Sequence, residues 1–368
     1  MIKHLLIRWT KNITRHLDQT LFGMLALLML VGLIVLYSAS GQSVGLMARQ
    51  GLNLLIAFSC MCLFANISPQ RLEVIALPLY ALGLLLLIGV AMVGETSHGA
   101  RRWLNLGVAT IQPSEIMKIA MPLMLAWYFA KREDAICWSD YMLAALLLIL
   151  PVGLIAKQPD LGTALLIGAS GFYVLFFVGL SWRFMLGIGL AIAAAVPFVW
   201  PMLHDYQRKR VLILLDPSQD PLGAGYHTIQ AMIAIGSGGL AGKGWLNGTQ
   251  SRLDFLPERH TDFIFAVFGE EFGLLGVVLL ALLFLLIIGR GLIIAANAQN
   301  LFGRLLASSI TLTFFTYAFV NMGMVCGILP VVGVPLPLIS YGGTSLVTLF
   351  IGFGILMSIQ THKKLVSS

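Results

Sequence analysis

Apolar stretches long enough to cross a bilayer recur along almost the whole chain, and few folds can accommodate them. A spanning helix takes roughly 20 apolar residues. Runs of that kind lie near 20–38, 50–67, 72–94, 113–130, 141–156, 162–180, 184–202, 263–289, 303–326 and 340–360. Only 11% of the 368 residues are charged, 58% are hydrophobic and the mean hydropathy is +0.91, whereas soluble domains carry about 25% charged residues. The expected fold is therefore all-α: a polytopic membrane protein of about ten transmembrane helices, forming a single domain over 1–368. Pro113 and Pro151 mark the fourth and fifth spans as short or interrupted. The 38 glycines suit helices that pack closely through small residues.

Lys3, Arg8, Lys11 and Arg15 precede the first span and interleave with Leu5, Leu6, Trp9 and Ile13. Residues 1–19 therefore read as an amphipathic segment on the cytoplasmic surface, followed by an uncleaved first span. In that orientation the inside segments hold Lys3, Arg8, Lys11, Arg15, Arg71, Lys131, Arg132, Arg183, Arg290, Arg304, Lys363 and Lys364. The short outside loops hold Arg49, Arg101, Arg102 and Lys157. This bias places both termini in the cytoplasm and the long 203–262 loop, between the seventh and eighth spans, outside. That loop carries Arg208, Lys209, Arg210, Lys243, Arg252 and Arg259, and long loops cross regardless of charge. Two readings of these cations stay open: a solvated loop touching anionic lipid, or recognition of a phosphate-bearing ligand.

Ionisable residues at membrane depth are costly and point to function. Glu115 and Lys118 are three apart at the start of the fourth span, so they share a helix face, as a self-neutralising pair or as part of a site with Arg101 and Arg102 nearby. Asp160, in the tight turn after Lys157, caps the next helix or holds a substrate hydroxyl or a cation. Asp262 stands just before the run starting at Phe263, and the N-cap and catalytic readings of its carboxylate are compatible. Glu270 and Glu271 lie two turns deeper and suggest that this helix lines a polar interior.

Gly236-Ser237-Gly238-Gly239-Leu240-Ala241-Gly242-Lys243-Gly244 fails the phosphate-loop pattern of nucleotide-binding proteins, since Ser237 and Gly244 stand where Gly and Ser or Thr belong. Its backbone N–H groups, with Lys243, still offer a cradle for a diphosphate. Three prolines between Gly327 and Pro337 prevent a helix and leave an irregular loop, tolerable at membrane depth where protein or a cavity shields it. Ser340-Tyr341-Gly342-Gly343-Thr344-Ser345 then opens the last span on the outer side, as a rigid turn or as part of a site. Cys60, Cys62, Cys137 and Cys326 show no zinc-ligand spacing, and no disulfide is expected.

The run Asp254-Phe255-Leu256-Pro257-Glu258-Arg259-His260-Thr261-Asp262-Phe263-Ile264-Phe265 resembles the signature of the SEDS family (shape, elongation, division, sporulation). Gln112-Pro113-Ser114-Glu115 with Lys118, Gln158-Pro159-Asp160-Leu161-Gly162-Thr163, and Gly327-Ile328-Leu329-Pro330 through Gly343 follow in family order, covering the chain from about residue 20 to its end. The segment from Gly242 to Ser251 and the short N-terminus are most similar to the RodA-like, elongation branch. The resemblance implies a peptidoglycan glycosyltransferase that joins lipid II units at the outer face of the bacterial cytoplasmic (inner) membrane. It also implies a class B penicillin-binding protein and the rod-shape membrane complex as partners, with no nucleic acid. The family's essential acid corresponds to Asp262.

On that basis Asp262 is the expected general base, acting on the acceptor sugar's 4-hydroxyl. Arg101, Lys118, Arg210, Lys243 and Arg259 are candidates to bind the donor's diphosphate, and Glu115, Asp160, Glu258, His260 and Ser340 to orient those groups or hold sugar. No cofactor is specified; a divalent cation is compatible with the chemistry, but no ligand cluster establishes one. A lipid II flippase is the rival reading. The ionisable residues cluster on the outer side instead of running through the bilayer, which favours surface chemistry.

Overall fold

The computed structural model describes residues 16–97, 100–105, 110–202, 205–217, 220, 224–253, 255–256 and 258–362. Residues 1–15 of the expected amphipathic segment, and Lys363 and Lys364, lie outside these. Three helices come first: α1 (Gln19–Ala39), α2 (Val44–Ala65) and α3 (Pro69–Val93). A small antiparallel sheet follows, β1 (Glu95–Ser97), β2 (Ala100–Asn105) and β3 (Thr110–Ile111) in that spatial order. Next are α4 (Pro113–Ala130), α5 (Trp138–Lys157), α6 (Leu161–Val178) and α7 (Trp182–Val199). The long loop contains α8 (Asp205–Leu215), α9 (Ala224–Ser237) and the short α10 (Thr249–Arg252). The chain closes with α11 (Ile264–Ala296), α12 (Leu301–Val325) and α13 (Thr344–Thr361).

Eight of these helices, α1, α2, α3, α5, α6, α11, α12 and α13, are long and apolar enough to cross a membrane. The helices α4 and α7 occupy the remaining two expected spans. Pro113 sits at the first turn of α4, where it lacks only an N–H that would be unpaired anyway, and α5 continues through Pro151. Helix α4 is less apolar because it faces protein: it packs against α3, α6, α12 and α13 and buries most of its residues. Helix α12 is alike, with 78% of its apolar window buried against 17% for α5. This burial explains how α12 tolerates Ser308, Ser309, Thr311, Thr313, Thr316 and Asn321, all of them sheltered from lipid. Helix α13 lies along α2 at a close approach that Gly354 permits, since a Cβ there would meet the Met61 carbonyl at 2.5 Å.

The sheet between α3 and α4 was not foreseen in an all-helical reading, and neither were the helices inside the 203–262 loop. A second difference concerns α11, which runs past the expected end at residue 289 to Ala296. Its Arg290 pairs with Asp18, the N-cap of α1, at 2.5 Å, so the charge does not terminate the helix.

Within α11 the backbone breaks at Gly273, with φ 65° and ψ −166°, a conformation essentially reserved for glycine. The break frees carbonyls on one side and N–H groups on the other, each costly to leave unpaired away from water. The glycine-rich loop after α9 supplies the partners. Lys243 N and Gly244 N donate to the Glu270 and Glu271 carbonyls, both at 3.0 Å. Leu274 N and Leu275 N donate to the Gly239 and Leu240 carbonyls at 2.9 and 3.1 Å. A Cβ on Gly273 would lie 2.3 Å from Gly242 N. Gly273→Ala is therefore expected to cost at least about 1–3 kcal/mol from backbone strain alone, read as a lower melting temperature of the detergent-purified protein. Gly289→Ala, whose Cβ meets nothing within 4 Å, should melt like the parent; equal melting of both variants would refute the role of the break.

Candidate active site

Asp262 ends a turn built on Glu258, whose carbonyl accepts Thr261 N at 3.1 Å and Phe263 N at 3.3 Å. The residue flanking α11 is Phe263, and no side chain caps the helix. This corrects the N-cap expectation for Asp262: its carboxylate is not spent on helix N–H groups. The backbone around it is tied down instead. Tyr341 N donates to the His260 carbonyl at 2.8 Å, Ser340 Oγ to the Thr261 carbonyl at 2.6 Å, and Asn321 Nδ2 to the Asp262 carbonyl at 2.8 Å. The Asp262 Oδ2 faces Gly333, where a Cβ would stand 3.4 Å away. Burial first, then the neighbouring Glu258 carboxylate, push the Asp262 carboxyl up from 3.8 to about 6, with Arg102 opposing them.

Arg102 comes from β2. Its guanidinium lies 3.4 Å from the Asp160 carboxylate and donates to the Pro159 carbonyl at 3.4 Å. Asp160 is the N-cap of α6, accepting Thr163 N at 3.3 Å, and is buried. The cap reading of Asp160 is thus realised, and the same carboxylate holds the Arg102 side chain.

Lys118 pairs with Glu115 at 2.6 Å, as the i, i+3 spacing anticipates. The pair does not stand alone. Thr348 on α13 donates to the second Glu115 oxygen at 2.8 Å, and the ammonium sits 5.3 Å from the Tyr317 ring centre. Glu115 also borders an open, largely apolar cleft of about 550 Å³ between α2, α3, α4 and α13, lined by Ile56, Leu79, Ile116, Val347 and Ile351. Gly343 and Thr344 form another part of its wall, so the turn that holds His260 and Thr261 also borders the cleft.

The other expected residues are placed as follows. Lys243 pairs with the buried Glu270 at 2.7 Å and donates to Thr249 Oγ1 at 2.8 Å. Glu270 also accepts Thr249 N at 2.8 Å and Gln250 N at 3.1 Å, and Ser38 donates to Glu271. The two glutamates thus pin the 203–262 loop and α1 to α11 in place of lining a polar interior. The proposed diphosphate cradle is likewise corrected: the N–H groups of Gly242, Lys243 and Gly244 all donate to protein carbonyls. Ser340 Oγ is engaged as donor to Thr261 and as acceptor from Leu336 N at 2.8 Å. His260 lies against the Tyr341 ring, Glu258 accepts Thr261 Oγ1 at 2.8 Å, and the Arg259 guanidinium reaches Gly41 between α1 and α2. The side chains of Arg101 and Arg210 lie outside the described residues.

Arg102, Asn321, Tyr317 and Thr348 are not among the site residues expected from the sequence. Arg102 was visible only as one of two adjacent cations, and choosing between them requires knowing the strand. Asn321 carried the better signal, an amide within an apolar span. Among the described residues no three His, Cys, Asp or Glu side chains gather to hold a metal ion.

Residues 18–365 match the family model FTSW_RODA_SPOVE, a cell cycle protein family. Peptidoglycan glycosyltransferase MrdB of Escherichia coli (strain K12) is 52% identical over 354 residues, covering 96% of this chain and 95% of that protein. The probable peptidoglycan glycosyltransferase FtsW of Geobacter metallireducens is 36% identical over 368 residues, covering 96% and 97%. Among solved structures, one on the structural coordination of polymerization and crosslinking by a peptidoglycan synthase complex contains a chain that superposes with TM-score 0.81 at 38% identity, covering 93% of this chain and 97% of that one. The rod shape determining protein RodA of Thermus thermophilus superposes with TM-score 0.71 at 33% identity, covering 94% and 98%.

Removing one partner of a buried ion pair costs about 3–5 kcal/mol, because the other charge is left uncompensated. Lys243→Met is expected to lower the melting temperature sharply, and adding Glu270→Gln to recover part of the loss. A Lys243→Met protein that melts like the parent would contradict the anchoring role of Glu270.

Proposed function

Since the chain belongs to the FtsW/RodA/SpoVE (SEDS) family, we propose that it is a peptidoglycan glycosyltransferase polymerising lipid II during cell elongation. The reaction takes place at the outer face of the bacterial inner membrane. The 52% identity to MrdB over nearly the whole chain, against 36% to the FtsW protein, supports the elongation branch. Ten crossings, with both termini in the cytoplasm and the 203–262 loop outside, are supported by the apolar run lengths and the bias of Lys and Arg. Its partner is a class B penicillin-binding protein, a reading supported by the likeness to a chain from a synthase complex that couples polymerization to crosslinking.

The observation that carries the mechanism is the state of Asp262, a half-buried carboxylate not engaged in capping and raised to about 6. A base with a pKa near the working pH is well matched to proton removal from a sugar hydroxyl. Asp262 takes the proton of the acceptor's 4-hydroxyl as that oxygen attacks the donor's anomeric carbon. The bond to the lipid diphosphate breaks, its electron pair leaves with the diphosphate, and the anomeric centre inverts. Arg102, Arg259, Arg101 and Arg210 are the cations assigned to the leaving group. Lys118 and Lys243 act through their glutamate pairs, while Asp160 orients Arg102. The apolar cleft beside Glu115 admits the lipid chain sideways from the bilayer.

The test is polymerisation of purified lipid II by the chain together with its partner. Asp262→Asn should lower the rate at least about 100-fold, within the range of a lost general base; full activity in that variant would sink the role. Failure of the wild-type complex to make glycan while lipid II is flipped would favour the transporter. Because the base must be ionised, the rate should fall as pH drops through about 6. Glu258→Gln, which removes a like charge, should move that midpoint lower; an unmoved midpoint would separate Glu258 from the titration.

A further inference from the structure

Asn321 lies near the C-terminal end of α12 and is fully buried. Its Nδ2 donates one hydrogen to the Asp262 carbonyl at 2.8 Å and the other to the Val334 carbonyl at 2.7 Å. Two carbonyl oxygens at these distances require the nitrogen at that position, so the amide's orientation is set by its surroundings. The Oδ1, by contrast, has no hydrogen-bond partner among the described residues. A buried polar group retained in that condition is inefficient as packing. What it provides is a pair of donors joining two separate segments to one helix.

Those segments are the turn that carries Asp262 and the irregular loop over 327–343. Next to Val334 is Gly333, at φ 71°, which forms the surface facing Asp262 Oδ2. One amide thus positions both the reacting residue and the wall beside it. The carbonyls of His260 and Thr261 are held by Tyr341 and Ser340, from the same loop. Asn321 differs in belonging to a helix that is itself largely buried, so it refers the turn and the loop to the rigid core of the bundle.

We propose that Asn321 is a positioning residue for glycan polymerisation, holding the backbone of Asp262 against the 327–343 loop so that the carboxylate is aligned with the acceptor hydroxyl. The proposal rests on Asp262 being the reacting base. Misplacing a catalytic group by about 1 Å costs on the order of 100-fold in rate, while interactions that bind the lipid and sugars away from Asp262 survive.

The experiment compares wild type, Asn321→Leu, Asn321→Ser and Asp262→Asn, each purified with the partner and assayed on lipid II across pH. Asn321→Leu keeps the branched heavy-atom shape, at a larger volume, and removes both donors. It should lower kcat about 10–100-fold with KM within about twofold. Its pH midpoint should fall from about 6, because a released carboxylate meets water while Glu258 and Arg102 still face it. Asn321→Ser, retaining one donor, should fall between Leu and wild type, and decides the matter if the Leu variant does not fold. Wild-type kcat in folded Asn321 variants would overturn the proposal. So would a loss of rate that merely tracks the folded fraction, with the pH midpoint unmoved. If Asp262→Asn itself remains active, the base assignment fails first; if it is inactive while the folded Asn321 variants are normal, only the positioning role is lost.

Discussion

A helix that breaks inside a membrane exposes carbonyl and amide groups that water cannot reach, and the architecture here is organised around one such break. At Gly273 the two halves of α11 part, and the 238–244 loop closes the gap with four backbone hydrogen bonds in two directions. The loop can do this because its glycines let one backbone approach another closely, as at Gly242, where a Cβ would lie 2.2 Å from the Glu271 carbonyl oxygen. Just before the break, Glu270 turns outward to Lys243 and to the N–H groups of Thr249 and Gln250, and Glu271 is held by Ser38. The first half of α11, which begins after Asp262, is thereby fastened to α1 and to the 203–262 loop. A carboxylate at the mouth of this half-helix stands on a fixed base.

The acids of the protein divide by how they are compensated. Asp18, Glu115, Asp160 and Glu270 each face a basic side chain within 3.4 Å, and Asp140 faces Arg132 at 3.1 Å. Asp262 differs from them in having a second carboxylate, Glu258, as its close electrostatic neighbour, and Arg102 is shared with Asp160. Burial without full pairing is the condition that raises a carboxyl group towards neutral pH. The paired acids and Asp262 thus follow from the same electrostatics applied to different neighbours.

Much of this was legible from the residues alone, and the limits have identifiable causes. The spacing of Glu115 and Lys118 defines a helical pair, and Asp160 before Leu161 reads as a cap; both contacts form. The same logic fails at Asp262, because Phe263 takes the flanking position and the preceding turn is held from elsewhere. Glu270 and Glu271 read as costly and therefore meaningful, yet their purpose, anchoring a loop that returns from residues 243–250, lies in contacts between distant parts of the chain. Arg102 and Asn321 reach the site from a strand and from a distant helix, whose positions relative to Asp262 no local pattern specifies.

Sequence by itself determined that the chain lives in a membrane, roughly where its helices lie, and which family it belongs to, because hydrophobic run length and motif order are properties of the chain read in one dimension. Which cations neutralise Asp18, Asp160 and Glu270 was decided only by the tertiary structure. So was the use of the glycine-rich loop's N–H groups to close a helix break, and so was the holding of Asp262 by Asn321 from another helix. The physical reason is common to all three: hydrogen bonding and charge compensation act over a few ångströms in space, and the partners that satisfy them here are separated along the chain by tens of residues.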